Sequence, residues 1–548
     1  MLFRHCLIAA ALFSVTASHA QSTVVQPGKV FTRSIKNANG DLITVVDGTF
    51  GKDGRAVLYV EEGLVQKVVR LDAQLVPAEE LVLKDVALDG LKWNGVTTVV
   101  EGGMLRCLLV SNGKKAAEYG IGNVSADGAL ELTGFHRIAS FEQLYTNDPS
   151  NTLMRRPLPD PILFSMGLSY AQEERLIPST DGAHYLLNHY TNNGKGSKRF
   201  FFACLGSGMN VLWSGSAELP YEDVKSSIHQ ISMTDDGVIH LLTYVFNCNK
   251  DEQLGDKNCH ELHLTTISEE GKTVKDVLLE KDFVSSARLC ERSGGRVALA
   301  IRYGALTGQP GVVMTFDPTD PKLKPTPLVD QRLPSIHKAK LLAYGNMDPG
   351  EKKTTISRTA KLPDDIVDLL PAWDGGLLVV ETYLDNAYMI PMGEAIAMRR
   401  LCGPIRLSYV ATNDSIRWQQ EVDRAFMTTA GQAYETVGVA MSGSGVTLTY
   451  DHTPRGMANI LASGNTPPDD EKKGKLEGPA EAGVLKATVI DRQGALVSEG
   501  TALMNEGGFL PCPLGVLFDG TGQRALVKSY DRGTGYSFTT IDLTKLGK

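Results

Sequence analysis

Three stretches of the sequence carry residue types that do chemistry. The first sets Glu218, Glu222 and Asp223 around Leu219, Pro220 and Tyr221, and two carboxylates facing each other across a substrate are what glycoside hydrolysis uses. That pairing must exist in space, however. Pro220 and Tyr221 read as a loop between structural units, where carboxylates are ordinarily solvated, so no catalytic role is assigned to the three. In the second stretch Cys259, His260 and His263 follow Cys248 at spacings that resemble a zinc-binding set. If this segment is a strand, side-chain alternation sends His260 and His263 to opposite faces and they cannot share one ion. In an oxidising compartment Cys248 and Cys259 instead make a candidate disulfide across the neck of a hairpin loop, provided that their Cα atoms come close enough.

The third stretch gathers Met389, Met392 and Met398. Thioethers bind soft metals, but packing is the commoner role of methionine, and no metal is assigned. The serines among glycines, Ser207 and Ser444, lack the Gly-x-Ser-x-Gly elbow on a strand-to-helix turn, since Ser444 leads into a strand. No phosphate-cradling glycine loop appears. His184, His189, His240 and His452 lie singly in strand-like segments and read as structural. No catalytic, cofactor or metal residue is therefore named, and no cofactor is expected.

These residues need elements to position them, and the elements read as strands. Short runs rich in β-branched and aromatic residues, such as "LITVVDGTF", "GVIHLLTYVF", "RVALAIRYG" and "GVTLTYDH", recur along the chain between turn residues. Asp-Gly pairs at Asp53, Asp89, Asp127, Asp181, Asp236, Asp374 and Asp519 supply the positive φ that hairpin tips need. They read as turns, because a calcium site requires several oxygen donors in one short loop. Local helices are expected only near "LPDDIVDLL" and "GEAIAMRR".

One segment also echoes another. The chain from Leu212 and the chain from Arg417 both run from a tryptophan, Trp213 or Trp418, through mixed residues to a glycine turn and a strand ending in Thr-Tyr. A unit used more than once signals a solenoid or propeller. Length and turn count suit six to eight blades, with seven favoured, and tandem β-sandwich domains are the alternative. Residues 1–20 are expected to be a signal peptide and residues 21–548 one propeller domain. Proline-rich or charged tracts at 317–327, 345–365 and 464–483 read as surface insertions.

"LWSGSAELPYEDVKSSIHQISMTDDGVIHLL" and "DIVDLLPAWDGGLLVVETYL" with "SYVATNDSIRWQQEV" resemble exported β-propeller-like proteins of Gram-negative bacteria, of the Bacteroidetes type, whose activity is unassigned. The resemblance covers about residues 160 to 450. It implies blade architecture and brings no functional residues.

The first residues fit an export signal, with Arg4, an apolar run from Leu7 to Val15, and Ser18 and Ala20 before a cleavage expected after Ala20. No later stretch is apolar for long enough to span a membrane as a helix. The net charge of −8 and the absence of a dense basic cluster argue against nucleic acid and anionic membrane partners. The expectation is an exported, periplasmic or secreted monomer that binds a protein or glycan ligand through propeller loops, with a hydrolase or lyase at the central channel as the alternative.

Overall fold

Hairpins join consecutive strands, and at the Asp-Gly tips of Gly54 and Gly237 it is the glycine that takes positive φ, in three-residue loops closed between Gly51 and Arg55 and between Thr234 and Val238. The computed structural model describes residues 25–27, 31–32, 43–62, 65–113, 115–142, 175–179, 182–190, 196–246, 260–268, 273–281, 284–292, 295–303, 311–317, 325–328, 365–392, 395–422, 424, 426–428, 437–452, 484–504, 510–519, 521–530 and 535–546. Over these residues the chain forms eight antiparallel sheets arranged as an eight-bladed β-propeller. Five described or partly described Asp-Gly pairs, at Asp53, Asp181, Asp236, Asp374 and Asp519, sit between the first and second strands of blades 1, 3, 4, 6 and 8. Two of the carboxylates are spent on the turn itself: Asp53 Oδ1 accepts from the Arg55 N–H at 2.9 Å and Asp519 Oδ1 from the Gln523 N–H at 3.0 Å.

The first strands of blades 1 to 8 are Ile43–Phe50, Leu91–Glu101, Leu176–Pro178, Ser226–Met233, Val284–Arg292, Asp365–Pro371, Val437–Met441 and Leu510–Phe518. They lie nearest the axis. Neighbouring first strands approach one another most extensively between blades 5 and 6 and least between blades 6 and 7. In blades 1 to 7 the outer strands are Pro77–Val82, Thr133–Glu142, Val211–Glu222, Thr273–Glu280, Pro325–Pro327, Ile416–Val422 and Leu496–Met504. Blade 8 is completed by Val25–Pro27, which pairs antiparallel with Gly535–Asp542. The two ends of the chain thus share one sheet, and the ring closes without a free edge at that point.

Eight apolar clusters hold the ring, one in each interface between neighbouring blades. Leu242, Tyr244, Leu262 and Leu264 of blade 4, for example, pack on Leu299, Ile301 and Met314 of blade 5. A ring of eight mutually packed sheets replaces the favoured count of seven and leaves no place for tandem sandwiches. Both expected helices are strands. Asp365–Pro371 pairs with Leu377–Met392, and a bulge between Ile366 and Asp368 lets Ile366 and Leu369 enter the same core at a spacing of three, which imitates a helical period. Ala395–Val410 is the return arm of the long hairpin from Leu377.

Of the three tracts read as insertions, the first contributes Pro325–Pro327, the outer strand of blade 5. Prolines are tolerated there because an outer strand has one unpaired side. Residues 345–364 and 464–483, like residues 1–20, lie outside the described residues. Among the described residues no helix is long and apolar enough to cross a membrane.

Candidate functional site

The first strands of five blades carry the same irregularity. Register shifts fall between Val45 and Asp47, Gly95 and Thr97, Ile228 and Gln230, Val284 and Ser286, and Ile366 and Asp368. Each is one extra residue, a β-bulge that bends the strand and re-aims the side chains beyond it. The residue after the bulge is polar in every case: Asp47, Thr97, Gln230, Ser286 and Asp368.

Two of these polar side chains are staples to the next blade. The Gln230 amide donates to the Leu289 carbonyl and accepts from the Leu289 N–H, both at 2.7 Å. Ser286 Oγ accepts from the Ile366 N–H at 3.0 Å. Adjacent first strands have no ladder between them, so the side chains satisfy backbone groups that would otherwise be orphaned.

Asp47 and Asp368 are not used this way. Among the described residues each carboxylate accepts from the N–H of the residue after it, Gly48 at 2.8 Å and Leu369 at 2.9 Å. Both side chains are half-buried. Burial pushes Asp47 up to about 6 against the pull of that N–H, and it also raises Asp368, although the Arg288 guanidinium opposes the shift.

Arg288 is held beside it. Its Nε donates to the Val367 carbonyl at 3.3 Å and its Nη1 to the Ala287 carbonyl at 3.0 Å. His229, the bulged residue of blade 4, has Nε2 3.2 Å from Arg288 Nη1 and 3.0 Å from the Ala287 oxygen. Burial, with Arg288 nearby, lowers His229 to about 3, so the ring is neutral. The wall of blades 4 to 6 therefore presents a fixed guanidinium and an uncommitted carboxyl. Val439 and Met441 pack against the core between blades 6 and 7, and Val516 and Phe518 against that between blades 7 and 8.

The residues singled out in the sequence do not form this site. Glu218 and Glu222 are exposed on the outer strand of blade 3, with Glu222 bound to Lys225 at 3.0 Å. Asp223 turns inward and forms a buried ion pair with Lys198 at 2.5 Å. The strand runs on through Leu219, Pro220 and Tyr221, and the turn to blade 4 is the single 3-10 turn Asp223–Lys225. His184 and His189 lie on blade 3, His240 on blade 4 and His452 on blade 7, so they do not converge. His189 Nδ1 is 3.0 Å from the Tyr119 hydroxyl, and burial lowers it to about 3; burial lowers His240 to about 4. Ser444 lies in a strand-to-strand turn, 2.9 Å from Ser442 Oγ. Met389 and Met398 are directly opposite in the long hairpin, with Met392 three residues further along.

His260–Ser268 is a strand, as supposed in setting aside a shared ion. Asp276 Oδ2, on the outer strand of the same blade, lies 2.9 Å from His263 Nδ1, and the Tyr221 hydroxyl of blade 3 donates to Asp276 Oδ1. Cys248 and Cys259 lie outside the described residues. Cys107, Cys204 and Cys290 are free and buried, and burial pushes their thiols up to about 12, 11 and 12.

Nothing in the residue types announces a bulge, which is why Asp47 and Asp368 escape a sequence reading. One signal was present: Val45-Val46-Asp47 and Ile366-Val367-Asp368 repeat a β-branched pair followed by aspartate.

No protein-family model and no curated protein matches the chain. Among solved structures it is similar to prolyl oligopeptidase B from Galerina marginata, at 10% identity and a TM-score of 0.38 over 90% of this chain, and it spans 55% of that protein. It is also similar to a Bacteroides caccae protein of unknown function, at 11% identity and a TM-score of 0.26 over 70% of this chain and 94% of the other. A Synechocystis apocarotenoid oxygenase is similar at 9% identity and a TM-score of 0.29, over 70% of this chain and 74% of the oxygenase.

Proposed function

We propose that the protein is an exported propeller that binds a glycan at the axial wall. The observation that carries this reading is the pair of carboxyls at bulge positions, Asp47 and Asp368, that make no staple among the described residues while two of their three equivalents, Gln230 and Ser286, do. Sugar hydroxyls both donate and accept. A carboxyl that accepts and a guanidinium that donates suit the hydroxyls of a sugar ring.

The test is calorimetric titration with a panel of neutral and acidic oligosaccharides, on the wild type and on Asp47→Asn and Asp368→Asn. Binding by the wild type that falls at least tenfold in either variant supports the reading, since a lost charge-assisted hydrogen bond costs about 1.5–3 kcal/mol. Binding unchanged in both variants, or no oligosaccharide bound at all, ends it.

A second reading, a hydrolase or lyase acting in the channel, is favoured by the upward shift of Asp47 to about 6, because a carboxyl that keeps a protonated fraction towards neutrality can act as a general acid. Product release from the same panel, lost in Asp47→Asn, would separate catalysis from binding. We further propose export through residues 1–20, with the chain remaining a monomer. Cleavage after Ala20 would keep Val25–Pro27, the strand that closes blade 8, and N-terminal sequencing of the exported protein checks the cleavage site.

A further inference from the structure

We propose that His263 is a proton-controlled latch at the seam between blades 3 and 4. The imidazole sits between two carboxylates, with Nδ1 2.9 Å from Asp276 Oδ2 on the outer strand of its own blade and Nε2 3.5 Å from Glu261 Oε2 two residues back on its own strand. Asp276 carries the tie across the seam. Its Oδ1 accepts from the Tyr221 hydroxyl of blade 3 and from Thr265 Oγ1 at 3.0 Å, and Tyr221 and Thr265 are themselves 2.7 Å apart. The Tyr221 ring meets the imidazole edge-on, with centroids 5.4 Å apart. One aspartate thus joins a tyrosine of one blade to a histidine of the next.

The charged groups on the seam favour a proton on His263. Glu261 and Asp276 face it, the nearby Lys198 is neutralised by Asp223 in a buried pair, and Glu280 on the same outer strand is turned to Tyr303 of blade 5 at 2.7 Å. Burial alone would lower the histidine, but the hydrogen bonds and charges of Asp276 and Glu261 outweigh it and raise His263, while the bonds to His263 and Tyr221 lower Asp276. A histidine raised by folding stabilises the native state fully below its ordinary value, and that contribution is lost as pH rises through the raised value. Asp276 works in the other direction and loosens the seam only in strong acid. The latch is closed at mildly acidic pH and relaxed in mildly alkaline solution.

Hydrogen exchange of the strands Val211–Glu222 and Thr273–Glu280, corrected for the intrinsic effect of pH, reads the latch. Between about pH 6 and about pH 8.5 the wild type should lose protection by about fivefold, the equivalent of a partly solvated ion pair. The His263→Gln variant should show no such change. A wild type whose protection does not change, or a His263→Gln variant that changes equally, overturns the proposal. Because substitution could disturb the seam by itself, the imidazole carbon signal of His263 is followed by NMR in the intact protein. A midpoint above that of an ordinary histidine supports the latch and one at or below it overturns it. Tyr221→Phe should lower protection at both pH values and keep the pH dependence, since it removes the tie to blade 3 and leaves the titrating pair.

Discussion

The seam between blades 3 and 4 and the seam between blades 6 and 7 are built on one plan and filled differently. In both, a tryptophan at the start of an outer strand packs against a positive-φ turn glycine of the next blade. Trp213 lies over Gly237 and Trp418 over Gly494. These are the two segments that echo in sequence. The echo is out of phase at its end, however. Tyr244 enters the cluster shared with blade 5, whereas Tyr450 enters the one shared with blade 6. Aligning the strands from their turns sets Tyr244 against Asp451. A sequence repeat copied the staple and did not fix which face the later residues take, because one residue of slip reverses every side chain of a strand.

The polar groups differ more sharply. At blades 3 and 4, Lys198 and Asp223 pair in the interior and Tyr221, Asp276 and His263 form a continuous network. On blade 7, Asp451 is buried and neither carboxylate oxygen finds a hydrogen-bond donor among the described residues. Burial raises it well above the usual carboxylate range, with the buried Arg424 pulling the other way. Charge is matched at one seam and suppressed by protonation beyond the other.

That difference can be broken at its strongest point first. Lys198→Met strands the Asp223 carboxylate in the interior and should cost about 3–5 kcal/mol in urea unfolding, as removal of one partner of a buried pair does. The two glycines come next. A Cβ at Gly494 would stand 2.6 Å from the Trp418 ring, and one at Gly237 would stand 3.1 Å from that of Trp213. Gly494→Ala should therefore cost about 3 kcal/mol and Gly237→Ala about half that, the shared part being the positive φ. Equal losses would show that backbone conformation alone sets the penalty.

Asp451→Asn acts in the opposite sense. A carboxyl raised by folding weakens the native state as pH rises above its unfolded value. The amide should thus stabilise the protein by about 1–2 kcal/mol at neutral pH and leave it unchanged near pH 4. A further effect is the slope of the wild type below about pH 6.5. His189, His229 and His240 are lowered to about 3, 3 and 4, so the stability they contribute above the unfolded value is lost as pH falls through this window. The raised carboxyls of Asp47, Asp368 and Asp451 oppose them, and His229→Asn should flatten the slope measurably in thermal unfolding.

How far the fold was legible depends on which residues carry it. Turn chemistry is local, so Asp236-Gly237 and Asp374-Gly375 declare hairpins, and the alternation around them declares strands. The count of blades is not local. Blade 8 is divided between Val25–Pro27 and the last three strands, and the outer strand of blade 5 is hidden in a proline-rich tract. A reading along the chain therefore favours seven where there are eight. The axial site was less legible still, since it depends on bulges that shift Asp47 and Asp368 out of simple alternation. His263 was noticed for the wrong neighbours: its partners, Tyr221 and Asp276, come from another blade and another strand.

The most direct test of the axial reading is a crystal of the protein soaked with the oligosaccharide that binds best in solution. Sugar hydroxyls should then lie within hydrogen-bond distance of Asp368, Arg288 and Asp47 on the inner wall. An oligosaccharide seated instead on the outer strands or the surface loops, with the axial wall empty, would contradict glycan binding at the axis.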